Sequence, residues 1–309
     1  METTSIYSQE QKSRSSFIGK LFYCLIGILA LVGLSSLGTK LLPEPEGSGV
    51  QVGLVEVVGM ITDSRDVVDQ VSRYRRNKSI RGIILRIDSP GGAVAPSQEI
   101  YDEVMRTRKE KKVVASLGNM AASGGYYIAS SSNHIIANPG TLTGSIGVIF
   151  ASSNVEELIQ KIGLKPVVIK SGKFKDAGSP ARPMNKEEKI LLQGVVDDVH
   201  SQFVQAIMKG RELPEEEIRK IADGRVLTGK QALELKLVDQ LGGLEDSIQW
   251  MQEALHLKNR PRIIQQKEKT GLFKLLFGTM PEWLSTSPGS VSQLPTLQFL
   301  WPFGNANWS

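Results

Sequence analysis

Three short segments of the chain combine glycines or other small residues with groups that could support acyl chemistry. Gly91 and Gly92 follow one apolar run, and Ser123 lies among small residues just after another. A third segment, SGKFKDAGSP, carries Lys173 and Lys175. Nucleophilic catalysis uses these groups: a hydroxyl nucleophile, an amine base and backbone N–H groups that stabilise an oxyanion.

Each segment also has a simpler structural interpretation. The SPGG sequence that ends at Gly92 suits an ordinary turn between a strand and a helix. Ser123 could be a helix N-cap. A loop lysine is normally solvated and charged, and it acts as a base only when burial or a neighbouring cation lowers its pKa. Residue types alone leave catalysis and plain structure both open.

The three histidines do not provide a better catalytic centre. His134 begins an apolar run shortly after Ser123, whereas His200 and His256 lie in polar helical stretches. A Ser–His–Asp triad is therefore disfavoured, and a serine activated by a lysine is the remaining acyl-transfer option. The histidines are too scattered for a compact metal site, and a single cysteine excludes an internal disulfide. We expect no metal and no cofactor.

Alternating strands and helices must position these groups. Apolar β-branched runs predict strands at residues 52–58, 82–88, 113–117, 134–137, 145–150 and 167–170. Amphipathic stretches predict helices at residues 63–76, 96–109, 122–131 and 154–162, followed by a mainly helical region at residues 185–256. Continuous apolar strands separated by helices favour parallel pairing with helices on the sheet faces. We therefore predict one α/β domain whose carboxyl-terminal part is mainly helical.

Near the amino terminus, residues 21–38 contain no charge and would form a helix about 27 Å long, just enough for a bilayer core of about 30 Å. Three basic residues precede this run closely and one follows it, which predicts a cytoplasmic amino terminus. A cleaved signal peptide is the alternative, because small residues end the run. Its length favours an uncleaved anchor.

The charge of the chain is concentrated near its two ends. Lys and Arg number 37 against 32 Asp and Glu, a net charge of +5. Residues 21–257 are neutral overall. A neutral central region does not point to nucleic acid as a partner.

Five motifs, taken in order, resemble the signal peptide peptidase A family of bacterial membrane-anchored serine peptidases in its short, single-repeat form. They are RIDSPGG (86–92), NMAASGGYYIAS (119–130), TGSIGV (143–148), SGKFKDAGSP (171–180) and DGRVLTGKQALELKLVDQLGG (223–243). The resemblance covers about residues 52–257, and the serine motif and the last motif are the specific ones.

The resemblance implies a role for each matching residue. Ser123 would be the nucleophile, Lys175 the general base and Ser145 the residue that orients the lysine by a hydrogen bond. Lys173 does not align with the base. The oxyanion-hole backbone would come from the three glycines Gly91, Gly92 and Gly124.

The resemblance also implies an α/β fold similar to the Clp protease and crotonase superfamily, with repeated ββα units after one transmembrane helix. Family subunits form a ring, expected to be octameric, in which adjacent subunits supply the serine and the lysine of one site. The implied function is a Ser–Lys endopeptidase of the bacterial inner membrane with its catalytic domain outside the cytoplasm. It would degrade released signal peptides and other unfolded apolar peptides.

Two other functions stay open at this point. A crotonase-like acyl-CoA enzyme would reuse the glycine pair but has no need of Lys175 or of a membrane anchor. A membrane-tethered ring could instead act as a scaffold without catalysis, since a fold alone does not define a function.

The expected domain organisation follows from these features. It comprises a cytoplasmic segment (1–20), a transmembrane anchor (21–38), a linker (39–51), a peptidase domain (52–257) and a carboxyl-terminal tail (258–309). The tail could lie on a membrane, pack on a neighbouring subunit or be poorly ordered.

Overall fold

The computed structural model describes residues 49–265 and the backbone of residues 298–300. The predicted anchor at residues 21–38 lies outside this part of the chain. Within the described residues, no helix combines the length and the apolar character needed to cross a bilayer.

Strands and helices alternate through the first half of the described chain, as predicted. The strands are β1 (Gln51–Val58), β2 (Ile80–Ser89), β3 (Gly91–Ala93), β4 (Lys112–Ala122), β5 (His134–Ala137), β6 (Leu142–Gly144), β7 (Val226–Thr228), β8 (Gln240–Leu241), β9 (Arg262–Gln265) and β10 (Gln298–Leu300). The helices are α1 (Arg65–Arg76), α2 (Val94–Thr107), α3 (Gly124–Ala129), α4 (Glu156–Lys161), α5 (Lys186–Arg211), α6 (Glu215–Arg219), α7 (Gly229–Glu234) and α8 (Leu244–Ala254).

Parallel strands form the centre of the main sheet. β1 pairs with β2, β2 with β4, and β4 with β5, all in parallel. Their continuous apolar runs are buried because helices cover both faces, which is the usual setting of a parallel sheet. The predicted α/β class with a parallel sheet is confirmed.

The two faces of β2 contribute to different parts of the core. Ile83, Leu85 and Ile87 belong to the larger apolar cluster, which also contains residues of α1, α2, α3 and α5. Ile84 lies in the smaller cluster, where Ile248 and Met251 of α8 pack against the sheet. Successive side chains of a strand point to opposite faces, so the same run holds helices on both sides.

The long strand β4 changes partners along its length. Its first part pairs with β5 from Val114 to Leu117, and its last residues pair with β6 from Met120 to Ala122. β6 in turn pairs in antiparallel fashion with β7. The carboxyl end of β4 is therefore held by a different neighbour from its beginning, and Ser123 follows directly.

Two predicted strands are wrong. At residues 145–150 the strand lies earlier, as β6, because the chain leaves the sheet at Ser145, whose φ is +50°. The predicted strand at residues 167–170, of which residues 167–169 are β-branched, does not form, and Ile169 is 97% exposed. A high β propensity expresses packing in a sheet, and no strand lies beside this segment within the described chain.

Two strands form in the region that was expected to be a tail. β9 extends the main sheet by parallel pairing with β1. β10 pairs in antiparallel fashion with β3 in a separate two-stranded sheet.

Candidate active site

Ser123 occupies a strained turn between β4 and α3. Its backbone has φ +52° and ψ −116°, a region that costs a residue other than glycine about 1–3 kcal/mol. Two hydrogen bonds hold this conformation: the Ser123 N–H donates to the Gly144 carbonyl at 2.9 Å, and the Tyr127 N–H donates to the Ser123 carbonyl at 2.8 Å. Serine is thus held at a sharp corner between strand and helix.

The Ser123 hydroxyl is buried and has no partner. The residue is 1% exposed, and its Oγ makes no hydrogen bond to any of the described residues. A buried hydroxyl without a partner costs free energy, so such groups are rare in folded proteins and call for an explanation. A nucleophile kept free to react would explain both the strain and the missing bond.

A backbone hydrogen bond connects Ser123 to the residue that precedes Ser145. It follows Gly144, whose carbonyl accepts the Ser123 N–H, and its own N–H donates to the Arg225 carbonyl at 2.8 Å. Ser145 also lines a cavity of about 340 Å³ between the segment after β6 and α5. His200 lines the same cavity, and its Nε2 is buried without a partner among the described residues. The structure therefore brings the backbones of the two predicted serines together, and of the two only Ser145 lines this cavity.

The glycine pair lies against a neighbouring backbone. The Ile61 N–H donates to the Gly91 carbonyl at 2.9 Å, and the Ala93 N–H donates to the Ile61 carbonyl at 2.7 Å. A Cβ on Gly92 would lie only 2.1 Å from the Ile61 carbonyl oxygen, so no other residue fits there. This contact could not be predicted, because it involves the backbone of Ile61 and no motif.

The N–H groups of the two glycines differ in their surroundings. The Gly91 N–H donates to Ser89 Oγ at 3.1 Å. Hydrogen-bonding groups alternate in direction along a strand, so the N–H and C=O of Gly92 face away from Ile61. A Cβ on Gly124 would lie 3.3 Å from the Gly92 nitrogen, which places Gly124 and Gly92 side by side. Gly92 is the member of the pair best placed to donate to an oxyanion near Ser123.

Lys175 is exposed, away from any partner within this part of the chain. No ion pair or side-chain hydrogen bond involves its ammonium group among the described residues. Ser123 Oγ has no partner either, so the two predicted dyad residues are not joined within one chain. Lys173, by contrast, forms an ion pair with Glu187 and lies over the ring of Phe174.

A network of ion pairs fixes the loop that carries Lys175. Asp176 binds Lys170 at 2.5 Å and Arg182 at 2.9 Å, and Arg182 also binds Glu188 at 2.5 Å. Arg182 and then Lys170, through hydrogen bonds, hold the pKa of the Asp176 carboxyl well below its usual range. Glu188 is anchored in turn by a capping box with Asn185 at the start of α5. Lys175 is thus presented to solvent from a fixed turn.

Many apolar side chains in this loop and in the chain segments on either side of it are exposed. Val167 is 85% exposed and Ile169 is 97% exposed. Further exposed apolar residues on α4, on the segment after it and on the first half of α5 are Leu158, Ile162, Leu164, Val168, Phe174, Ile190, Leu191 and Val195. A cluster of this kind on a folded protein usually marks a surface that contacts another molecule.

Two protein families match the chain. Peptidase family S49 matches residues 105–258, and the Clp protease family matches residues 54–140. The matched residues include Ser123, Ser145 and Lys175 in the first family, and both glycines of β3 in the second.

Individual relatives agree with these matches. A Synechocystis protein named as a protease is 47% identical over 65% of this chain and 73% of the relative. A protein named as signal peptide peptidase SppA, from Enterococcus faecium, is 34% identical over 76% of this chain and 70% of its own length. The chloroplastic serine protease SPPA of Arabidopsis thaliana is 34% identical over 63% of this chain and 29% of its own length.

The parallel α/β sheet and these matches define a serine peptidase, a hydrolase that acts on peptides. Within that class the chain belongs to the signal peptide peptidase A family. The acyl-CoA enzyme and the scaffold without catalysis are disfavoured, because the relatives are named as proteases.

Proposed function

We propose that the chain is a membrane-anchored serine endopeptidase in which Ser123 is the nucleophile and Lys175 of a neighbouring copy is the general base. The observation that carries this proposal is the pair of unmatched groups. Among the described residues, Ser123 Oγ is buried with no partner, and the exposed Lys175 ammonium has none either, on a loop held in place by ion pairs. A second copy of the chain would bring a lysine amine to the Ser123 hydroxyl and a serine hydroxyl to the Lys175 amine.

The proposed reaction proceeds in two steps. The neutral amine of Lys175 takes the Ser123 hydroxyl proton while Oγ attacks the peptide carbonyl, and the amine then gives that proton to the departing peptide nitrogen. The remaining acyl ester is hydrolysed by water, whose proton passes to the same amine before it returns to Ser123. The negative oxygen formed in each step would be stabilised by N–H donors at Gly92 and Gly124, each contributing about 3 kcal/mol.

Contact between copies would also favour the neutral form of the Lys175 amine. An amine accepts a proton only in its neutral form, and removal from water favours that form. The exposed apolar side chains around the loop would exclude water when a second copy covers them. Ser145, which follows the residue bonded to the Ser123 N–H, would orient the incoming amine. A closed ring, expected to be an octamer, would satisfy this head-to-tail contact in every subunit.

The proposed substrates are released signal peptides and other unfolded apolar peptides. The name of the Enterococcus faecium relative supports this choice. The predicted anchor at residues 21–38 would hold the catalytic domain close to the inner membrane, on the extracytoplasmic side, where released signal peptides lie. Extended peptides can bind by pairing with a strand, and β3, which pairs with β10 in this structure, is the strand beside Gly124 and Ser123.

Single substitutions test the dyad. Ser123→Ala and Lys175→Ala should each reduce the rate of peptide hydrolysis by several orders of magnitude, because the nucleophile and the base act together and loss of either one removes the effect of both. Lys173→Ala is the matched control: this lysine lies two positions away, is already paired with Glu187, and should leave the rate within about twofold. Hydrolysis of a quenched peptide by each purified variant gives the rates. Full activity of either dyad variant would refute the assignment.

Mixing the two inactive variants tests whether copies share a site. If Ser123 and Lys175 come from different subunits, an oligomer reassembled from equal amounts of both variants should regain about a quarter of the wild-type activity. Neither variant subunit carries both groups, so a dyad within one chain would give no recovery. Absence of recovery in correctly assembled mixtures would therefore disprove the shared site and leave the nucleophile assignment untouched.

A further inference from the structure

Basic residues gather in two segments at one edge of the main sheet. Residues 73–81 contain five Lys and Arg and no acidic residue, and residues 106–112 contain five with one acidic residue, Glu110. The first segment ends α1 and begins β2, and the second joins α2 to β4. Gly82 of β2 lies opposite Lys112 of β4, so both segments lie where these parallel strands begin. Together the two segments form the basic edge of the domain.

Hydrogen bonds between side chains and backbone hold the two segments of the basic edge side by side. Lys111 Nζ donates to the carbonyls of Tyr74 and Asn77, both at 2.6 Å, at the end of α1. The guanidinium of Arg75, also near the end of α1, donates to the Glu110 carboxylate at 3.1 Å. The ends of α1 and α2 therefore form one continuous surface.

Acidic side chains balance only part of the charge on this surface. Among the described residues, the ion pairs of the basic edge join Arg73 to Asp69, Arg75 to Glu103 and Glu110, Arg106 to Glu103, and Arg108 to Glu212. Five further cations are exposed and form no ion pair with any described residue: Arg76, Lys78, Arg81, Lys109 and Lys112. The basic edge thus presents a surplus of positive charge to its surroundings.

Like charges lie close enough on the basic edge to affect one another. Burial lowers the pKa of the Lys111 ammonium; Glu110 opposes this shift, and the nearby cations Arg81 and Arg75 add to it. Neighbouring charges of one sign repel, and an anionic surface placed over them relieves that repulsion.

The path of the chain favours a membrane as the source of that anionic surface. β1 begins at Gln51, which lies opposite Ile80 at the start of β2, so the chain enters the domain at the basic edge. Residues 39–50 join β1 to the predicted anchor at residues 21–38. Twelve residues reach at most about 40 Å when fully extended, so an anchored chain keeps the start of β1 near the lipid head groups.

We propose that the basic edge binds anionic phospholipid head groups and so orients the domain on the membrane. This inference rests on the proposed function for the anchor alone. β4 begins at Lys112 in the basic edge and ends at Ala122, next to Ser123, after a rise of about 30 Å. Ser123 therefore lies about 30 Å from the head groups. A peptide must leave the bilayer before it reaches this serine, which restricts cleavage to released peptides.

Fluorescence quenching by labelled lipids tests the contact in the full-length chain. In a Cys24→Ser background, Ser79→Cys carries a bimane label within the basic edge, and Ala95→Cys carries the same label at the start of α2, near the opposite edge. The chain is reconstituted into phosphatidylcholine vesicles that contain nitroxide-labelled head groups, with or without phosphatidylglycerol.

Phosphatidylglycerol should raise quenching of the label at position 79 by about twofold or more, because anionic lipid attracts clustered Lys and Arg. High salt should reverse this increase, since it screens exposed charges. The label at position 95 should respond to neither change. Equal quenching of the two labels, or no effect of phosphatidylglycerol at position 79, would overturn the proposal.

Charge reversal identifies the residues responsible. Lys78→Glu with Lys112→Glu should abolish the increase at position 79, whereas Lys220→Glu with Lys230→Glu alters the net charge equally on another part of the surface and should retain it. Loss in both pairs or in neither would contradict the role of the basic edge. Flotation with pure phosphatidylcholine vesicles measures the anchor separately. A chain that fails to float has no anchor, and its salt-sensitive binding to phosphatidylglycerol vesicles still decides whether the basic edge binds lipid.

Discussion

At the scale of single residues, backbone conformation distinguishes the site more clearly than side-chain contacts do. Ser123 and Ser145 both have positive φ values, +52° and +50°, at the ends of the neighbouring strands β4 and β6. Each conformation costs about 1–3 kcal/mol in a residue other than glycine, and strain of this kind persists where surrounding bonds enforce it. Here the Gly144 and Arg225 carbonyls provide those bonds.

Gly92 permits a prediction about packing at the site. In Gly92→Ala the new Cβ would meet the Ile61 carbonyl oxygen at 2.1 Å, and a backbone atom cannot move aside easily. We expect the free energy of unfolding to fall by about 2–3 kcal/mol and peptide hydrolysis to be lost. Urea unfolding and a peptide assay measure the two effects.

Gly194→Ala provides the control for this substitution. Gly194 lies within α5, and a Cβ there would meet nothing within 4 Å. Alanine is the better helix former, so this change should raise the free energy of unfolding by up to about 1 kcal/mol. Similar unfolding midpoints for the two variants would contradict the packing account of Gly92.

Sequence patterns predicted part of this site. Small residues around Ser123 and the Gly91–Gly92 pair indicated that backbone comes close to a reacting group, and the structure places them side by side. The strain at Ser123 and the contact with Ile61 could not be predicted, because both depend on backbone that folds in from other segments. The role of Lys175 stays a prediction, since within one chain its amine meets no partner among the described residues.

At the scale of elements, an apolar run predicted to be a strand forms one only where another strand lies beside it. The buried strands β1, β2, β4 and β5 were recognised because each is a continuous apolar run between helices. Residues 167–170 show a similar composition without a strand beside them among the described residues, and they form no strand and are exposed. β3 is too short and too rich in glycine to be recognised, and it is held by pairing with β10 and by an isolated bridge to Ile61.

The loop that carries Lys175 gives a prediction at this scale. Arg182→Ala removes the ion pairs to Asp176 and Glu188, so the loop should loosen while the sheet stays intact. We expect faster hydrogen exchange at residues 172–180 and a kcat reduced by about tenfold or more, because a misplaced base loses orientation. Arg65→Ala, which breaks a similar surface pair with Asp63, should change neither quantity. Unchanged exchange in Arg182→Ala would contradict this role.

The same network predicts a dependence on pH. The folded-state pKa of Asp176 is lowered by Arg182 and Lys170, so its contribution to stability is present above the unfolded value of about 3.9. That contribution is lost as the pH falls below this value towards the lower folded pKa. The difference in the free energy of unfolding between the wild-type protein and Arg182→Ala should therefore be largest near neutral pH and should shrink below about pH 4, as urea unfolding at a series of pH values would measure.

At the scale of the whole molecule, the apolar surface around residues 158–174 predicts how copies associate. Ile169→Glu places a charge at the most exposed of these side chains and should reduce the proposed oligomer to smaller species, with loss of hydrolysis. Leu235→Glu, at a partly exposed apolar residue outside this surface, is the control and should keep both mass and activity. Sedimentation velocity measures the mass. An Ile169→Glu variant with unchanged mass would contradict the proposed contact.

The backbone bonds around the two serines also bear on how the protein is made. Ser123 depends on the Gly144 carbonyl, and Ser145 depends on the Arg225 carbonyl, far along the chain. During translation the segment with Ser123 leaves the ribosome long before Arg225 does. A growing chain therefore contains the Ser123 hydroxyl before it can form the complete backbone arrangement that positions this hydroxyl. Under the proposed assignment of Ser123 as the nucleophile, a partly synthesised chain would not cleave peptides, and hydrolysis would begin only after Arg225 has been made and has folded against Ser145.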